Sequence, residues 1–341
     1  MSDEPLPFGS LSRLHSERIS ALESFSTLDL LRELSARFTG GEGFPASEEA
    51  FAVGKLLQDS LASLTDVHNN RFSRHRLWDY YYAYIRPHSS TLPPIQGATW
   101  VEIGSGSQNP AGFLFLILML GAQRCIAVDP DPIQNPSVAW KALADMAGLL
   151  LVDPKCVLEV EDTDPHEMLR NISSFDLAKL RAGNGEGIDS SRFIYLQESV
   201  ESLSLPDNTA DVVISNAFLE HVEDLDKVAR QLFRITRPGG LGVHNIDGKD
   251  HRMYSDSSVH PLAFLELEDS KPIVEGCNRI RPFAMRATFE RAGFETVEKE
   301  IFEQIEVTQD MRERFVEPFR SMPQEDLEVL CGLIVFRKPA S

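Results

Sequence analysis

From Gly97 onward, short apolar runs alternate with longer stretches whose apolar positions recur at helical spacing. TWVEI (99–103) reads as a strand and Asn109 to Leu120 as a helix, followed by the strand RCIAV (124–128) and the helix AWKALADMAGLL (139–150). RFIYLQ (192–197) and ADVVIS (210–215) are strands, LDKVARQLFRIT (225–236) is a helix, and LGVHNI (241–246) is a strand. Apolar strands separated by helices signal a mostly parallel sheet covered on both faces. RPFAMRATFERAGF then predicts a helix closed by Gly293, while TVEKEIFEQIEV and EVLCGLIVFRK predict two last strands able to pair as a hairpin. Two stretches interrupt the alternation: a polar, helical insert at 151–191 and a loop-rich excursion at 247–281. Long loops at strand ends in such sheets serve ligands more often than the core.

Ahead of Gly97 the pattern is helical throughout. Leu and Ile recur at helical intervals over 14–38, which ends at Thr39-Gly40-Gly41, and Ser47 is an N-cap for a second helix over 46–64. Residues 71–87, RFSRHRLWDYYYAYIRP, are crowded with aromatics and bases. The expectation is a helical N-terminal region over 1–95, a lid or a dimerisation arm, joined near Pro87 and Pro93-Pro94 to a domain over 96–341. Tyr80, Tyr81, Tyr82 and Tyr84 either pack a helix onto that domain or wall a substrate pocket.

Composition narrows the partners. The 341 residues carry 52 acids against 33 bases, a formal charge of −19, which repels phosphate backbones and makes nucleic acid a poor substrate. GFLFLILMLGA is shorter than the roughly 18 residues a membrane span needs, and the start lacks the pattern of a signal peptide. A cytoplasmic protein with reduced thiols is expected. Cys125, Cys156, Cys277 and Cys331 lie far apart without a C-x-x-C pair, so their spacing announces neither a disulfide nor a zinc framework.

The informative stretch is VEIGSGSQNP, residues 101–110. In a doubly wound sheet the ligand lies beyond the carboxyl ends of the strands. Gly104-Ser105-Gly106-Ser107 is a turn there through which backbone can approach a ligand. A nicotinamide dinucleotide site wants a further glycine three places after the second, yet Asn109 stands there and a glycine returns only at Gly112. Glu102, just before the turn, would repel a pyrophosphate and welcome an ammonium or a sulfonium. Asp129 ends the next strand and suits a ribose diol. Together these acids and glycines fit S-adenosylmethionine.

DVVISNAFLEHV (211–222) and ITRPGG (235–240) complete a pattern. With it, the chain from about Gly97 to Pro339 resembles class I S-adenosylmethionine-dependent methyltransferases, in the methyltransferase type 11-like branch. HNIDGKDHR (244–252), FLELED and NRIRPFAMRATFERAGF are similar to a bacterial subgroup associated with sugars, surface polysaccharides or secondary metabolites. The resemblance implies an α/β, Rossmann-like seven-stranded sheet with helices on both faces and its last strand inserted antiparallel. It also implies cofactor contacts at Glu102, Gly104, Ser105, Gly106, Asp129, Pro130 and Asn216. Gln108 stands at the family's third glycine, and Ser199 at the usual adenine-binding aspartate, with Val200 and Glu201 following.

For the acceptor, candidate catalytic residues are His221, His251 and Asp247. His221 is a general base for a hydroxyl, or else a structural histidine capping the following helix. His244, Asp247, Asp250 and His251 could orient a hydroxyl, act as base, scaffold the loop, or hold magnesium; two acids are few for a hard cation, and no metal is expected. Asn278, Arg279 and Arg281 either anchor that loop or meet an acidic acceptor. The expected function is methyl transfer to a small molecule, foremost a hydroxyl oxygen. The alternatives are N- or C-methylation of a natural product, or a non-catalytic S-adenosylmethionine-binding regulator. A homodimer is an open option, and no membrane partner is expected.

Overall fold

The computed structural model of the protein describes residues 80–152, 165–268, 274 and 276–340. All of them belong to one of the chain's two compact units, Leu77–Val152 with Val160–Ser341. The helices expected over 14–38 and 46–64, and the start of 71–87, lie outside the described residues.

Seven strands, β1 (Thr99–Ile103), β2 (Arg124–Asp129), β3 (Phe193–Gln197), β4 (Ala210–Asn216), β5 (Thr236–Asp247), β6 (Glu295–Gln304) and β7 (Val329–Arg337), form one sheet. Their order is β3-β2-β1-β4-β5-β7-β6. The β1, β2, β3, β4 and β5 pairings are parallel, whereas β7 runs antiparallel to both β5 and β6. This is the mostly parallel sheet expected from the alternation, in the Rossmann-like form that the resemblance implies, with the terminal hairpin inserted as its last two strands. The order reverses between β1 and β4, so a crevice opens at the carboxyl ends of those strands.

Every residue of β1 is buried, which requires helices on both faces. One cover is α1 (Gly112–Met119), whose eight residues are all buried and apolar or glycine. Such a helix has no solvent face and sits inside the domain. The next are α2 (Pro136–Val152), α3 (Pro165–Ser173) and α4 (Leu177–Arg181), the last two carrying the insert predicted at 151–191. The amphipathic α5 (Leu225–Ile235) starts at Asp224, whose carboxylate accepts the Lys227 N–H at 2.8 Å, and buries Leu225, Val228, Ala229, Leu232 and Ile235. α6 (Met285–Ala292) ends at Gly293, with φ 111°. Its Phe289 stacks on Phe336 of β7, centroids 4.4 Å apart, and joins the two halves of the sheet's core.

The loop-rich stretch after β5 has a small core of its own. Leu262, Phe264 and Leu265 pack with Phe315, Phe319 and Leu327 from the segment between β6 and β7, which holds α7 (Gln309–Arg314) and α8 (Gln324–Glu328). Arg281, fully buried, donates to the carbonyls of Gly248, Leu327 and Val329. Arg279 donates to those of Phe264 and Leu267, and Asn278 to those of Leu219 and Val222. Of the two roles open to these three residues, loop anchoring is the one their bonds express. No helix among the described residues is long and apolar enough to cross a membrane.

Candidate active site at the switch point

The glycine turn leaves β1 at its carboxyl end, where Gly104 and Gly106 take φ of 69° and 76°. Both values lie in the left-handed region that glycine enters without strain. At Gly104 a Cβ would also meet the Phe218 ring at 2.2 Å, so glycine is required twice over. The Gly104 and Ser105 amides donate to the Val128 carbonyl at 2.9 and 3.2 Å, tying the turn to β2. Asp129 holds it from the other side: Oδ2 accepts the Gly106 N–H at 2.8 Å and Oδ1 the Asp131 N–H at 3.1 Å. Sequence reasoning saw a ribose ligand in Asp129 and missed this second duty. Each carboxylate oxygen keeps a further lone pair. Ser105 Oγ is buried there without a hydrogen-bond partner, and Pro130 is exposed at the rim.

Glu102 is buried, with no hydrogen-bond or cationic partner among the described residues. Burial, with the Asp129 charge adding to it, pushes its carboxyl up to about 8. A bare buried carboxylate is costly, so Glu102 keeps its proton near neutral pH until a positive group arrives.

Glu102 opens onto a narrow cleft lined also by Tyr80, Tyr84, Phe113, Asn216 and Asn245. The side chains form a relay: Asn245 Nδ2 donates to Asn216 Oδ1 at 2.8 Å, and Asn216 Nδ2 to the Tyr80 hydroxyl at 2.5 Å. Asn245 Oδ1 is buried with no hydrogen-bond partner. An orphaned acceptor beside an unpaired carboxyl suits a ligand bearing N–H donors and positive charge. The residues present therefore fit S-adenosylmethionine. Tyr80 and Tyr84 wall this cleft, and Tyr81 is buried. Asn245 was missed because alternation along β5 was read with the wrong face toward the ligand.

That face matters for His244. It is fully buried between Phe289 and Phe336, bonds Ser215 Oγ through Nδ1 at 2.8 Å, and is lowered to about 3 by burial. Of the roles open to His244, orienting an acceptor or acting as its base is ruled out by this burial: it is a neutral core histidine. Asp250, also fully buried, is committed to Arg252, whose Nε lies 2.9 Å from its Oδ1.

The adenine-side residues gather after β3. Ser199 Oγ caps a short turn by accepting the Glu201 N–H at 3.3 Å, and Val200 is buried below it. Glu201 pairs with Lys227 of α5 at 3.1 Å. Ser199 and Glu201 are thus engaged within the protein.

The three proposed catalytic residues do come together. The His221 and His251 rings meet edge to face with centroids 5.0 Å apart, and His251 Nε2 lies 3.7 Å from Asp247 Oδ2. His221 is exposed, with Nδ1 3.0 Å from the Gly276 carbonyl. Burial lowers the His251 pKa, so its imidazole is neutral at pH 7. Asp247 accepts the Tyr254 hydroxyl and the Lys249 N–H. Glu220 supports the strand end: Oε1 accepts the Asp247 N–H at 3.2 Å, and burial raises its carboxyl to about 8. Cys277, from the excursion's far end, completes a cluster with the two histidines; its distance along the chain gave no sign of this.

Comparison with known proteins adds a family match. Residues 74–299 match the methyltransferase domain family. The ubiquinone/menaquinone biosynthesis C-methyltransferase UbiE of Pasteurella multocida is 35% identical over 89 residues, 26% of this chain and 25% of the relative. Its counterpart in Pseudoalteromonas translucida is 29% identical over 113 residues, 30% of this chain and 45% of the relative, so the chain spans less than half of the length of each. Among solved structures, a SAM-dependent methyltransferase of Methanosarcina mazei is 15% identical with a TM-score of 0.42, covering 76% of this chain and 99% of that one. A Haloferax volcanii methyltransferase in complex with the Trm112 activator is 16% identical with a TM-score of 0.42, covering 77% and 91%.

Proposed function

The chain belongs to the family of methyltransferase domains, with S-adenosylmethionine as cofactor, and from that premise we propose that it methylates a small molecule, foremost at a hydroxyl oxygen of a sugar or secondary metabolite. The observation that carries this reading is the unpaired Glu102 carboxyl, raised to about 8 beside Asp129, on a cleft that offers Asn245 Oδ1 as a further acceptor. When bound, the cofactor supplies a methyl carbon made electrophilic by a sulfonium sulfur.

The chain's own residues have three tasks. Glu102, Asn245 and the Gly104–Gly106 backbone hold the charged end, while Asp129, with its spare lone pairs, receives the ribose. Ser199 and Val200 border the base through their backbone. Tyr80, Tyr84 and Phe113 keep water from the cleft and align the acceptor, which is where most of the rate of a displacement reaction arises. A hydroxyl acceptor must shed its proton, and His221 and His251, with Asp247 at 3.7 Å from the latter, are the groups that handle it.

A second reading, transfer to a carbon of a planar ring, is favoured by the C-methyltransferase names among the relatives and by the tyrosines of the cleft. Incubating the full chain with isotopically methyl-labelled cofactor and a metabolite extract tests both. The expected result is an acceptor gaining one labelled methyl together with S-adenosylhomocysteine; the attachment atom separates oxygen from carbon. Tight cofactor binding without any labelled product would leave only a regulatory binding protein.

A further inference from the structure

His221, His251 and Cys277 come from three separate segments, and their ligand atoms all lie within 4.8 Å of one another. Two imidazoles and a thiol form a borderline-to-soft donor set, suited to zinc and its neighbours and ill suited to magnesium or calcium. Around a tetrahedral zinc, with bonds of about 2.0–2.3 Å, such atoms sit roughly 3.3–3.7 Å apart. Side-chain rotations of about an ångström close that gap.

The surroundings are those of a ligand set. The Gly276 carbonyl, 3.0 Å from His221 Nδ1, accepts a hydrogen bond from Nδ1–H and leaves Nε2 with a free lone pair; such a carbonyl is the usual outer partner of a metal-bound histidine. His251 Nε2 is buried without a hydrogen-bond partner. The His251 backbone N–H reaches Cys277, and the Asp247 and Asp250 carboxylates set a negative field around the sulfur that favours a cation. Cys277 is fixed by paired backbone bonds of 2.9 Å to Val274 and forms a buried floor, whereas exposed His221 leaves an entry path. The cluster stands at the same edge of the sheet as the cleft: β4 leads through Asn216 to His221, and β5 through Asn245 to His251.

We propose that His221, His251 and Cys277 bind one zinc-class divalent ion, with a fourth position open to water or to an oxygen or sulfur of the acceptor. Three protein ligands and an open position are the arrangement of reactive rather than structural zinc, and a hydroxyl or thiol bound there would lose its proton to solvent water more readily. This link to the acceptor rests on the methyl-transfer reading; the metal site does not. It deepens that reading by giving the two imidazoles a cation to hold in place of a proton.

The test uses metal-free full-length protein titrated with Co²⁺ and followed in the near ultraviolet. A thiolate-to-cobalt charge-transfer band is expected, saturating at one ion per chain and displaced by Zn²⁺. Cys277→Ser should abolish the band. His221→Ala, at an exposed position that folding tolerates, should weaken Co²⁺ binding at least about tenfold while retaining calorimetric affinity for S-adenosylmethionine. Absence of a band at millimolar Co²⁺, its survival in Cys277→Ser, or wild-type Co²⁺ affinity in His221→Ala would overturn the proposal. Metal binding without methyl transfer would overturn the functional reading alone.

Discussion

Glu102 and Asp129 show how two acids of one cleft can have different tasks. Glu102 has no partner to offset its burial, and its carboxyl rises from 4.5 to about 8. The folded state therefore holds a proton that the unfolded chain has already released between these values. Stability from this group is full below about 4.5 and is lost as pH rises through about 8, at no more than about 1.4 kcal/mol per pH unit. Urea unfolding over pH 5–8 should show a fall that Glu102→Gln flattens; identical slopes for both proteins would contradict the assignment. Asp129 spends one lone pair on the Gly106 amide of the turn, at 2.8 Å, and another on the Asp131 amide after its own strand, at 3.1 Å. Asp129→Ala should weaken S-adenosylmethionine binding by one or more hydrogen bonds, each about 0.5–1.5 kcal/mol, and lower the urea midpoint as well. A loss of affinity with unchanged stability would mean that the turn does not need Asp129. The identities of both acids were legible in VEIGSGSQNP and RCIAVD. The bond from Gly106 to Asp129 was not, because it depends on how the turn folds back.

At the scale of elements, β5 marks what periodicity can and cannot say. Alternation correctly put His244 and Ile246 on one face, and both are fully buried. Period alone carries no sign, so a ligand role stayed open for the histidine while Asn245 on the opposite face was overlooked. The deciding fact is tertiary: Phe289 of α6 and Phe336 of β7 close over His244. Helix ends were easier to read. Gly293, foreseen as a stop, has φ 111°, and a Cβ there would meet the Phe233 ring at 2.9 Å. Gly293→Ala should cost about 1 kcal/mol or more in urea unfolding, and a neutral result would show that α6 can end otherwise. Ser199 and Glu201 were singled out by the family resemblance, but the capping bond of the one and the Lys227 pair of the other arise from neighbours that no linear pattern names.

For the molecule as a whole, seven strands in the order β3-β2-β1-β4-β5-β7-β6 create the crevice at the β1–β4 switch, with Glu102, Asp129, Asn216 and Asn245 at or near the carboxyl ends of their strands. The family resemblance implied the seven strands and the antiparallel insertion, and alternation of strands and helices made the mostly parallel, doubly covered sheet legible. The excursion core of Phe264, Phe315 and Phe319 was not, since it joins segments some fifty residues apart. The inserted hairpin is integral to the core: Phe336, fully buried and stacked on Phe289, should cost about 3–5 kcal/mol of unfolding free energy when replaced by Ala. Phe302→Ala, on the exposed edge strand, should cost far less, and equal losses would refute the packing described. The account turns on negative groups in a glycine-lined crevice receiving a cationic nucleoside. Isothermal titration of the full chain with S-adenosylmethionine, beside Glu102→Gln, tests that most directly. One site per chain is predicted, with affinity at pH 8 at least about tenfold weaker in the variant, as the loss of a charge-assisted contact implies. No binding, or equal affinity in the two proteins, would contradict it.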